Sequence, residues 1–332
     1  MSFLNQIEKF DKNIALIGIN NKKFSYQELI IQSENITKSL ATRKLIFILG
    51  DNDFEFISFY LGCLRKKLVP MLINSQINEE LLQKLINSYF PSYIFLPNSR
   101  KKKLNNYEKI FEIKNYNILK TVKEHNYSID SNLALLLGTS GSTGSNKFVR
   151  ISYENLNDNT KNIIKYLNIN NKHRTVTTMP PYYTYGLSII NTHLFSGASI
   201  FITNLKVIEK RFWDLIKKYK INSFGGVPYF YEILKKINFA NMVLPDLKYF
   251  TQAGGPIDKK VANYLLECSE KNKTKFIIMY GQTEATSRMT YLPYKNLKSK
   301  IDSVGIPIPG GKFFLRNEKN ENSNKGEVVY KG

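Results

Sequence analysis

The segment LLLGTSGSTGSNKF, residues 135–148, contains residue types that bind phosphate. Its apolar start is followed by an unbroken Gly/Ser/Thr run at 138–145, then by Asn146 and Lys147. Successive backbone N–H groups in such a turn form a nest for an anion, and the hydroxyls and Lys147 add donors and charge. A Walker A loop is excluded, because Lys147 follows Asn146 and not glycine. A flexible linker or a tight turn remains the alternative.

Two further segments carry side chains suited to a nucleotide. TQAGGPI, residues 251–257, has a glycine pair that lets a flat ligand approach the backbone, although a plain strand-to-helix turn also explains it. In MYGQTEAT, residues 279–286, Tyr280 can stack on a base, Thr283 can donate to phosphate and Glu284 can bind Mg²⁺. A Thr-Glu pair is also a common helix start, so both interpretations stay open.

The elements that position these segments are those of a layered α/β protein, because short apolar runs alternate with longer amphipathic ones. The pattern predicts strands over 44–49, 92–97, 133–138, 198–203, 221–226, 247–252 and 275–280, and helices over 25–41, 52–66, 78–89, 152–167, 207–219, 228–237 and 257–271. Near-continuous apolar strands indicate sheets covered on both faces. Each of the three segments follows a predicted strand, where open α/β sheets bind ligands.

Composition narrows the class of protein. The 332 residues are 42% hydrophobic, which is enough for a large core and more than one lobe. The formal charge is +21, but the lysines are scattered and do not interleave with aromatic residues, so we expect no specific nucleic-acid partner. Cys63 and Cys268 are expected to be reduced core residues. No signal peptide and no apolar run of ~18 residues is present, which predicts a cytoplasmic protein without membrane insertion.

The chain is predicted to divide into three parts. Ser99 to Glu124 is polar and irregular and separates an N-terminal α/β subdomain, 1–124, from a nucleotide-binding α/β subdomain, 125–300. The last part, 301–332, has two β-like runs around a polar turn and starts a small β-subdomain.

An ordered set of motifs resembles the acyl- and aminoacyl-adenylate-forming superfamily, which includes acyl-CoA synthetases, luciferases and the adenylation domains of peptide synthetases. The motifs are TSGSTGSNKFVRISYENL (139–156), MPPYYTYGL (179–187), GGVPYFYEIL (225–234), QAGGPI (252–257), YGQTEAT (280–286) and VGIPIPGG (304–311). The resemblance covers essentially the whole chain. It implies the fold of the large domain of an adenylate-forming enzyme, with layered αβαβα sheets and a small C-terminal β-subdomain.

The resemblance also implies roles for the matching residues. Thr283, Glu284 and Lys147 would be catalytic, with Thr283 at the α-phosphate and Glu284 as the magnesium ligand. The nucleotide would contact Thr139, Ser140, Gly141, Ser142, Thr143, Gly144, Lys147, Gly254, Gly255, Pro256, Tyr280, Gly281, Gln282 and Thr283. The acyl substrate would contact Tyr183, Gly186, Gly226, Gln252 and Gly254.

The implied reaction is the attack of a carboxylate on the α-phosphorus of ATP, which releases pyrophosphate and leaves an acyl-adenylate. The acceptor would be the thiol of CoA or the phosphopantetheine of an acyl carrier protein. His125, His173 and His193 have no triad or metal spacing, and phosphoryl-type transfer needs positioning and Mg²⁺ more than a nucleophile. Tyrosines 182, 183, 185 and 229 favour a small to medium, partly polar carboxylic acid over a long alkyl chain. The absence of Asp and Glu from 180 to 190 argues against a standard α-amino acid, unless its amino group is held from elsewhere.

The sequence departs from the family pattern in several places. Asn146 and Phe148 stand where Pro and Gly are usual, and Tyr153 stands where His often follows. GEVVYKG, residues 326–332, resembles the segment just before the ribose-binding Asp. The chain is therefore expected to lack the family's C-terminal mobile domain with its catalytic Lys. The alternative function is a truncated or split adenylating protein that binds ATP or a partner without efficient turnover.

Overall fold

The computed structural model describes residues 3–100, 104, 106–123, 125, 127–139 and 147–332. In these ranges the α-helices are α1 Phe3–Gln6, α2 Tyr26–Thr37, α3 Phe54–Arg65, α4 Glu79–Tyr89, α5 Tyr153–Leu167, α6 Thr184–Phe195, α7 Lys210–Lys218, α8 Pro228–Lys236, α9 Lys259–Lys271 and α10 Tyr294–Leu297. The strands are β1 Ile14–Gly18, β2 Lys23–Ser25, β3 Leu45–Leu49, β4 Val69–Ile73, β5 Tyr93–Pro97, β6 Tyr107–Ile113, β7 Tyr116–Thr121, β8 Leu133–Gly138, β9 Phe148–Ser152, β10 Arg174–Val176, β11 Ser199–Ile202, β12 Ser223–Gly226, β13 Tyr249–Gln252, β14 Lys275–Tyr280, β15 Thr290–Tyr291, β16 Ile306–Pro307, β17 Lys312–Arg316, β18 Asn322–Ser323 and β19 Glu327–Lys331. Short 3-10 helices cover Ile7–Phe10, Phe239–Asn241 and Thr283–Ala285.

The larger sheet has nine strands in the order β16-β15-β14-β13-β12-β10-β11-β1-β2. Its strands run parallel from β14 to β1, and the strands at both edges are antiparallel. Gly226 pairs with Gln252, and Gln252 pairs with Ile278. The loops that follow β12, β13 and β14 therefore leave the same edge of the sheet at the same level.

The second sheet has seven strands in the order β6-β7-β5-β3-β4-β8-β9. Its centre, from β5 to β8, is parallel, and β9 returns antiparallel to β8 with Gly138 opposite Phe148. A small antiparallel sheet, β18-β17-β19, closes the described chain. This last sheet confirms the predicted small C-terminal β-subdomain.

Buried apolar clusters define the layers. A central cluster joins the facing sides of the two large sheets, as at Ile48 and Ile200, with helices α2, α3 and α6 between them. A second cluster packs α7, α8 and α9 on the outer face of the nine-stranded sheet, and a third packs α4 on the outer face of the seven-stranded sheet. Both sheets are thus covered on both faces, which is why their central strands are apolar throughout. The predicted αβαβα layering is confirmed.

Local sequence signals account for most element ends. The strands and helices predicted from periodicity are all present, and the largest shift is at α2, predicted to end at 41 and ending at Thr37. A capping box starts α2, where the Glu28 carboxylate accepts from the Ser25 backbone N–H at 2.6 Å and the Ser25 hydroxyl accepts from the Glu28 N–H at 3.1 Å. Such reciprocal bonds satisfy N–H groups that the helix itself leaves unpaired.

Two parts of the structure were not anticipated. Helix α6 is buried on almost every side, so its sequence TYGLSIINTHLF lacks the polar stripe by which an amphipathic helix is found. Within the segment predicted to be irregular, Ser99 to Glu124, the residues Tyr107–Ile113 and Tyr116–Thr121 form the β6–β7 hairpin that extends the seven-stranded sheet. The side chains of β6 are largely exposed, and charged residues are what protects such an edge strand from pairing with other chains.

Strands on both sides of residue 124 share sheets. β8 and β9 belong to the seven-stranded sheet, and β1 and β2 belong to the nine-stranded sheet. A subdomain division at 124 remains a prediction.

Cys63 and Cys268 are buried free thiols, as predicted. In the ranges given above, none of the helices combines the length and the apolar character needed to cross a membrane.

Candidate functional site

The turn after β14 has a backbone shape that only certain residues allow. A Cβ added to Gly281 would lie 1.6 Å from the carbonyl oxygen of Ser287, so the turn closes only over glycine. Thr286 and Ser287 have φ angles of 63° and 120°, which are uncommon for residues with side chains. Backbone in such regions is held by its surroundings and is concentrated at binding and catalytic sites.

A cavity of about 400 Å³ lies against this turn. It is lined by predicted site residues from four separate segments, namely Thr139, Tyr183, Gly254, Gly281, Gln282, Thr283 and Glu284. Tyr185, one of the four tyrosines considered from the sequence, also lines it. Thr184, Ala253, Ser287 and Arg288, which the sequence interpretation did not assign to the site, complete the lining. The fold therefore assembles the three unusual loops and the start of α6 around one space.

Thr283 lies where the two large sheets approach each other. It begins the 3-10 turn Thr283–Ala285, which contacts β9 of the seven-stranded sheet. The Thr184 hydroxyl, at the start of α6, donates to the Thr283 hydroxyl oxygen at 2.9 Å. Since Thr283 is partly exposed, its own O–H proton can be donated to a ligand in the cavity.

Glu284 is exposed on the same turn, and its carboxylate forms no ion pair or hydrogen bond with the residues that the structure describes. It also borders a second cavity of about 900 Å³, whose other walls include Asp158 of α5 and Tyr330 of β19. No group of three His, Cys, Asp or Glu side chains able to hold a metal occurs in the described ranges. A single free carboxylate such as that of Glu284 would fit a magnesium site in which the substrate's phosphate oxygens and water supply the other ligands.

The loop after β13 presents backbone to the cleft. Gly254 has a φ of +88°, and 254–256 are exposed. The Gln252 side chain is buried and donates to the Gly255 carbonyl oxygen at 2.8 Å, so it shapes this loop from below. Tyr183 lies on the other side of Gly254, where an added Cβ would come within 3.7 Å of its hydroxyl oxygen.

The predicted phosphate loop is described only at its ends. Residues 140–146, which include the candidates Ser140, Gly141, Ser142, Thr143 and Gly144, lie outside the described residues. The Thr139 N–H donates to the Lys147 carbonyl oxygen at 3.1 Å, which continues the β8–β9 pairing beyond Gly138 and Phe148. The Lys147 side chain is exposed and is not among those that line the cavity.

Some candidates lie beside the cavity and not in its wall. An added Cβ on Gly186 would lie 2.4 Å from the Pro180 carbonyl oxygen, and one on Gly226 would lie 2.5 Å from the Phe230 ring, so both glycines allow close packing. Tyr229 is 67% exposed on α8, and Tyr182 packs against the central core. Of the tyrosines considered from the sequence, only Tyr183 and Tyr185 line the cavity.

Two tyrosine hydroxyls at the candidate site have protein partners, and of these two tyrosines Tyr185 lines the cavity whereas Tyr280 does not. Tyr280 is partly exposed at the end of β14, and its hydroxyl oxygen accepts from Gln282 Nε2 at 2.7 Å. Tyr185 is buried and its hydroxyl lies 2.7 Å from the Thr251 hydroxyl oxygen. Burial raises the pKa of Tyr185 above its ordinary value, so the phenol stays neutral.

Arg288 is the functional candidate that sequence reasoning missed. It is 2% exposed, yet it lines the cavity. The signal was an arginine inside the otherwise uncharged run TSRMTYLP, directly after the YGQTEA segment. A charged residue that close to a ligand loop is rarely buried without a partner.

Comparison with known proteins agrees with this geometry. The sequence profile of the AMP-binding enzyme family matches residues 3–332. The chain is 24% identical over 327 residues to the 2-succinylbenzoate–CoA ligase of Oceanobacillus iheyensis. This alignment covers 94% of this chain and 66% of that protein. It is 22% identical to the D-alanine–D-alanyl carrier protein ligase of Bacillus licheniformis, over 100% of this chain and 70% of that protein.

A solved structure has the same fold. The o-succinylbenzoate coenzyme A synthetase from Bacillus subtilis, in complex with ATP and magnesium ion, matches with a TM-score of 0.81 and 18% identity. The match covers 100% of this chain and 70% of that one. The first curated relatives are matched over 40 to 66% of their own length. With the profile match over nearly all of its length, the chain belongs to the family of AMP-binding enzymes.

Proposed function

We propose that the protein activates a carboxylic acid with ATP. The carboxylate oxygen forms a bond to the α-phosphorus, the bond from that phosphorus to the bridging oxygen breaks, and pyrophosphate leaves with the electron pair. The product is an acyl-adenylate. The observation that carries this proposal is the convergence of Thr139, Gly254, Thr283 and Glu284 on one cavity at the carboxyl edge of the parallel strands.

The residues of the turn after β14, with the loop after β13 and Lys147, would each have a separate role. Tyr280 offers a ring to the adenine beside the exposed backbone of Gly254 and Gly255. Thr283 donates its hydroxyl proton to an α-phosphate oxygen, where negative charge builds up as the carboxylate attacks. Glu284 would hold Mg²⁺, which supplies charge neutralisation for the phosphates and the leaving pyrophosphate. Lys147 would act on the outer phosphates from the end of the β8–β9 hairpin.

The acceptor of the acyl group is a thiol in this proposal. One relative is named as a CoA ligase and another as a carrier protein ligase, so either CoA or the phosphopantetheine of a carrier protein suits the family. The substrate is a small carboxylic acid, because the cavity of about 400 Å³ is at the small end for ligand pockets. A cytoplasmic location follows from the need for ATP and a thiol acceptor.

A second candidate is nucleotide binding without efficient turnover. It concerns the 332 residues taken alone, which span 66% of the length of the Oceanobacillus relative. In that case ATP and Mg²⁺ would bind, and pyrophosphate would be released slowly or not at all.

The test measures binding and chemistry separately. ATP is titrated into the 332-residue chain by calorimetry with and without Mg²⁺, and pyrophosphate release is followed on addition of a panel of small carboxylic acids, with hydroxylamine present to trap activated acyl groups. We expect Mg²⁺-dependent ATP binding and acid-dependent release. Binding without release supports the second candidate. If ATP does not bind, or binds equally without Mg²⁺, the assignment of the site is wrong.

A further inference from the structure

Arg288 places a positive charge in the wall of the candidate site. Its guanidinium is 2% exposed, so it is a charged group held in the protein interior. It follows the turn that carries Glu284. The strained residues Thr286 and Ser287 lie between the two, and Asn159 of α5 donates to the Arg288 carbonyl oxygen at 3.0 Å.

Among the residues that the structure describes, the partners of the guanidinium are all neutral. Its Nε and Nη2 donate to the Ser188 hydroxyl oxygen at 3.2 and 3.0 Å, and Nη1 approaches the Tyr166 hydroxyl at 3.5 Å. Nη1 also lies 3.8 Å from the Met279 sulfur, and the Tyr185 ring lies beneath the group at 5.0 Å. These contacts leave part of the five-proton donor fork without a strong acceptor.

No carboxylate compensates this charge in the part of the chain that the structure describes, where none lies within ion-pair distance of Arg288. The surrounding phenols of Tyr166, Tyr185 and Tyr249 stay neutral because burial raises their pKa values. His193 is also neutral, since burial lowers its pKa to about 3. An unpaired buried charge is costly, and removing one partner of a buried ion pair is strongly destabilising.

We propose that the missing partner is the substrate, and that the protein activates a short dicarboxylic acid whose far carboxylate pairs with Arg288. This inference rests on the function proposed above, in which the near carboxylate reacts beside Thr283 and Glu284. The planar guanidinium matches a carboxylate with two parallel hydrogen bonds, which a hydroxyl or an alkyl end cannot form. A far-end ammonium group is excluded by charge repulsion. Tyr183 and Thr184 at the start of α6 would line the path between the two carboxylates.

The competing explanation is structural. Arg288 joins α6 to the turn through Ser188 and stacks on Tyr185, and these contacts could be its whole role. A structural role predicts that replacing Arg288 lowers stability without changing which acids bind. The substrate role predicts a change in selectivity, which can be measured independently of stability.

The experiment compares matched ligands at equilibrium, so it does not depend on turnover. Succinate, glutarate and adipate, and the monomethyl ester of each, are titrated by calorimetry into the chain saturated with Mg²⁺ and a non-hydrolysable α,β-methylene analogue of ATP. The ester keeps the length of the diacid and removes the far charge. We expect one diacid to bind about 10- to 100-fold more tightly than its ester.

Variants then assign the effect to one side chain. Arg288→Gln is expected to remove the difference between diacid and ester while the affinity for the nucleotide analogue is unchanged, and Arg288→Lys is expected to restore part of it. Arg211→Gln, which removes the same charge from the exposed surface of α7, should retain the full difference. If Arg288→Gln does not fold, the diacid and ester comparison in the unmodified chain still decides.

The outcomes separate the two proposals. Failure to bind the nucleotide analogue overturns the proposed function and this inference with it. Binding of the analogue together with equal affinities for diacid and ester, or with no binding of any diacid, overturns only the role of Arg288. Loss of stability in Arg288→Gln with unchanged selectivity also overturns it and supports the structural explanation.

Discussion

The ends of strands β3 and β14 have similar local sequences, but the acidic side chains that follow them differ in whether they form hydrogen bonds within the protein. β3 is followed by Gly50 and Asp51, and β14 is followed by Gly281 and, three residues later, Glu284. Both glycines are required by close packing, since an added Cβ would lie 2.5 Å from the Phe56 ring in one case and 1.6 Å from a backbone oxygen in the other. A strand, a glycine and an acid therefore do not identify a site by themselves.

The acids after β3 are used within the protein. Asp51 accepts from the Ser75 hydroxyl at 2.7 Å. Asp53 caps α3 by accepting from the Phe56 N–H at 2.8 Å, and its other oxygen accepts from the Tyr116 hydroxyl at 2.5 Å. The acid after β14 is exposed and forms no such bond with the described residues. The difference indicates that a candidate binding group is recognised by hydrogen-bonding capacity that the fold leaves unused.

The largest expected effect is on chemistry at the β14 end. Glu284→Gln should lower Mg²⁺-dependent ATP affinity and reduce acid-dependent pyrophosphate release by about 10²–10³, because an amide cannot replace the charge that holds the metal. The unfolding temperature should be unchanged, since the side chain is exposed.

The matched control is Asp51→Asn at the β3 end. It should leave ATP binding and pyrophosphate release unchanged and lower the free energy of unfolding by about 1 kcal/mol, because it weakens the partly buried hydrogen bond from Ser75. Equal effects of the two substitutions on ATP binding would contradict the distinction between the strand ends.

Substitutions of the two glycines should also affect the β14 end more than the β3 end, but by a smaller amount than the substitutions of the acids. Gly281→Ala forces a Cβ against the Ser287 backbone, which cannot move without opening the turn, and should cost about 3 kcal/mol of unfolding free energy. Gly50→Ala meets the Phe56 side chain, whose ring can shift, and should cost about 1–2 kcal/mol. Urea denaturation measures both. ATP affinity should fall only in Gly281→Ala, and a fall in Gly50→Ala would contradict the comparison.

The buried acid at the β3 end should make stability depend on pH. Burial raises the pKa of Asp53 from 3.8 to about 6, although the hydrogen bonds from Tyr116 and Phe56 oppose the rise. The unfolded chain therefore loses this proton near pH 4 and the folded chain near pH 6. In that window the folded state binds more protons, so the stability contribution of Asp53 falls as pH rises and stays lower above pH 6.

Asp53→Asn isolates this contribution, because asparagine is an equally good helix cap and does not titrate. The measured quantity is the difference in free energy of unfolding, variant minus unmodified chain. This difference should rise by about 1–3 kcal/mol between pH 4 and pH 7. Urea denaturation at several pH values measures it. A difference that is constant with pH would show that Asp53 is ionised normally in the folded protein.

How much of the fold and of the site could be predicted depends on the physical property that each sequence pattern reflects. Periodicity predicted the strands that form the sheet centres, because burial on both faces makes them apolar, and it missed α6 for the same reason, since a fully buried helix has no polar side. The candidates that line the cavity after β13 and β14, namely Gly254, Gly281, Gln282, Thr283 and Glu284, were predicted because their loops need unusual residue types. Arg288 was not, because its role depends on neutral partners from α5 and α6 that are distant in the sequence.

The smallest expected effect distinguishes two tyrosine hydroxyls. Among the described residues, the Tyr280 hydroxyl accepts a hydrogen bond only from the exposed Gln282 amide. Tyr280→Phe therefore keeps the ring that would stack on adenine and loses a solvent-accessible hydrogen bond. ATP affinity should change by less than about threefold, whereas Tyr280→Ala should lose at least about fivefold through the lost stacking surface. Tyr116→Phe is the corresponding change at the β3 end and removes the hydroxyl that donates to Asp53. It should lower the free energy of unfolding by about 1–2 kcal/mol and leave ATP affinity unchanged. Calorimetric titration and urea denaturation of the three variants give the answer. A large loss of ATP affinity in Tyr280→Phe would mean that the hydroxyl, and not the ring, contacts the nucleotide.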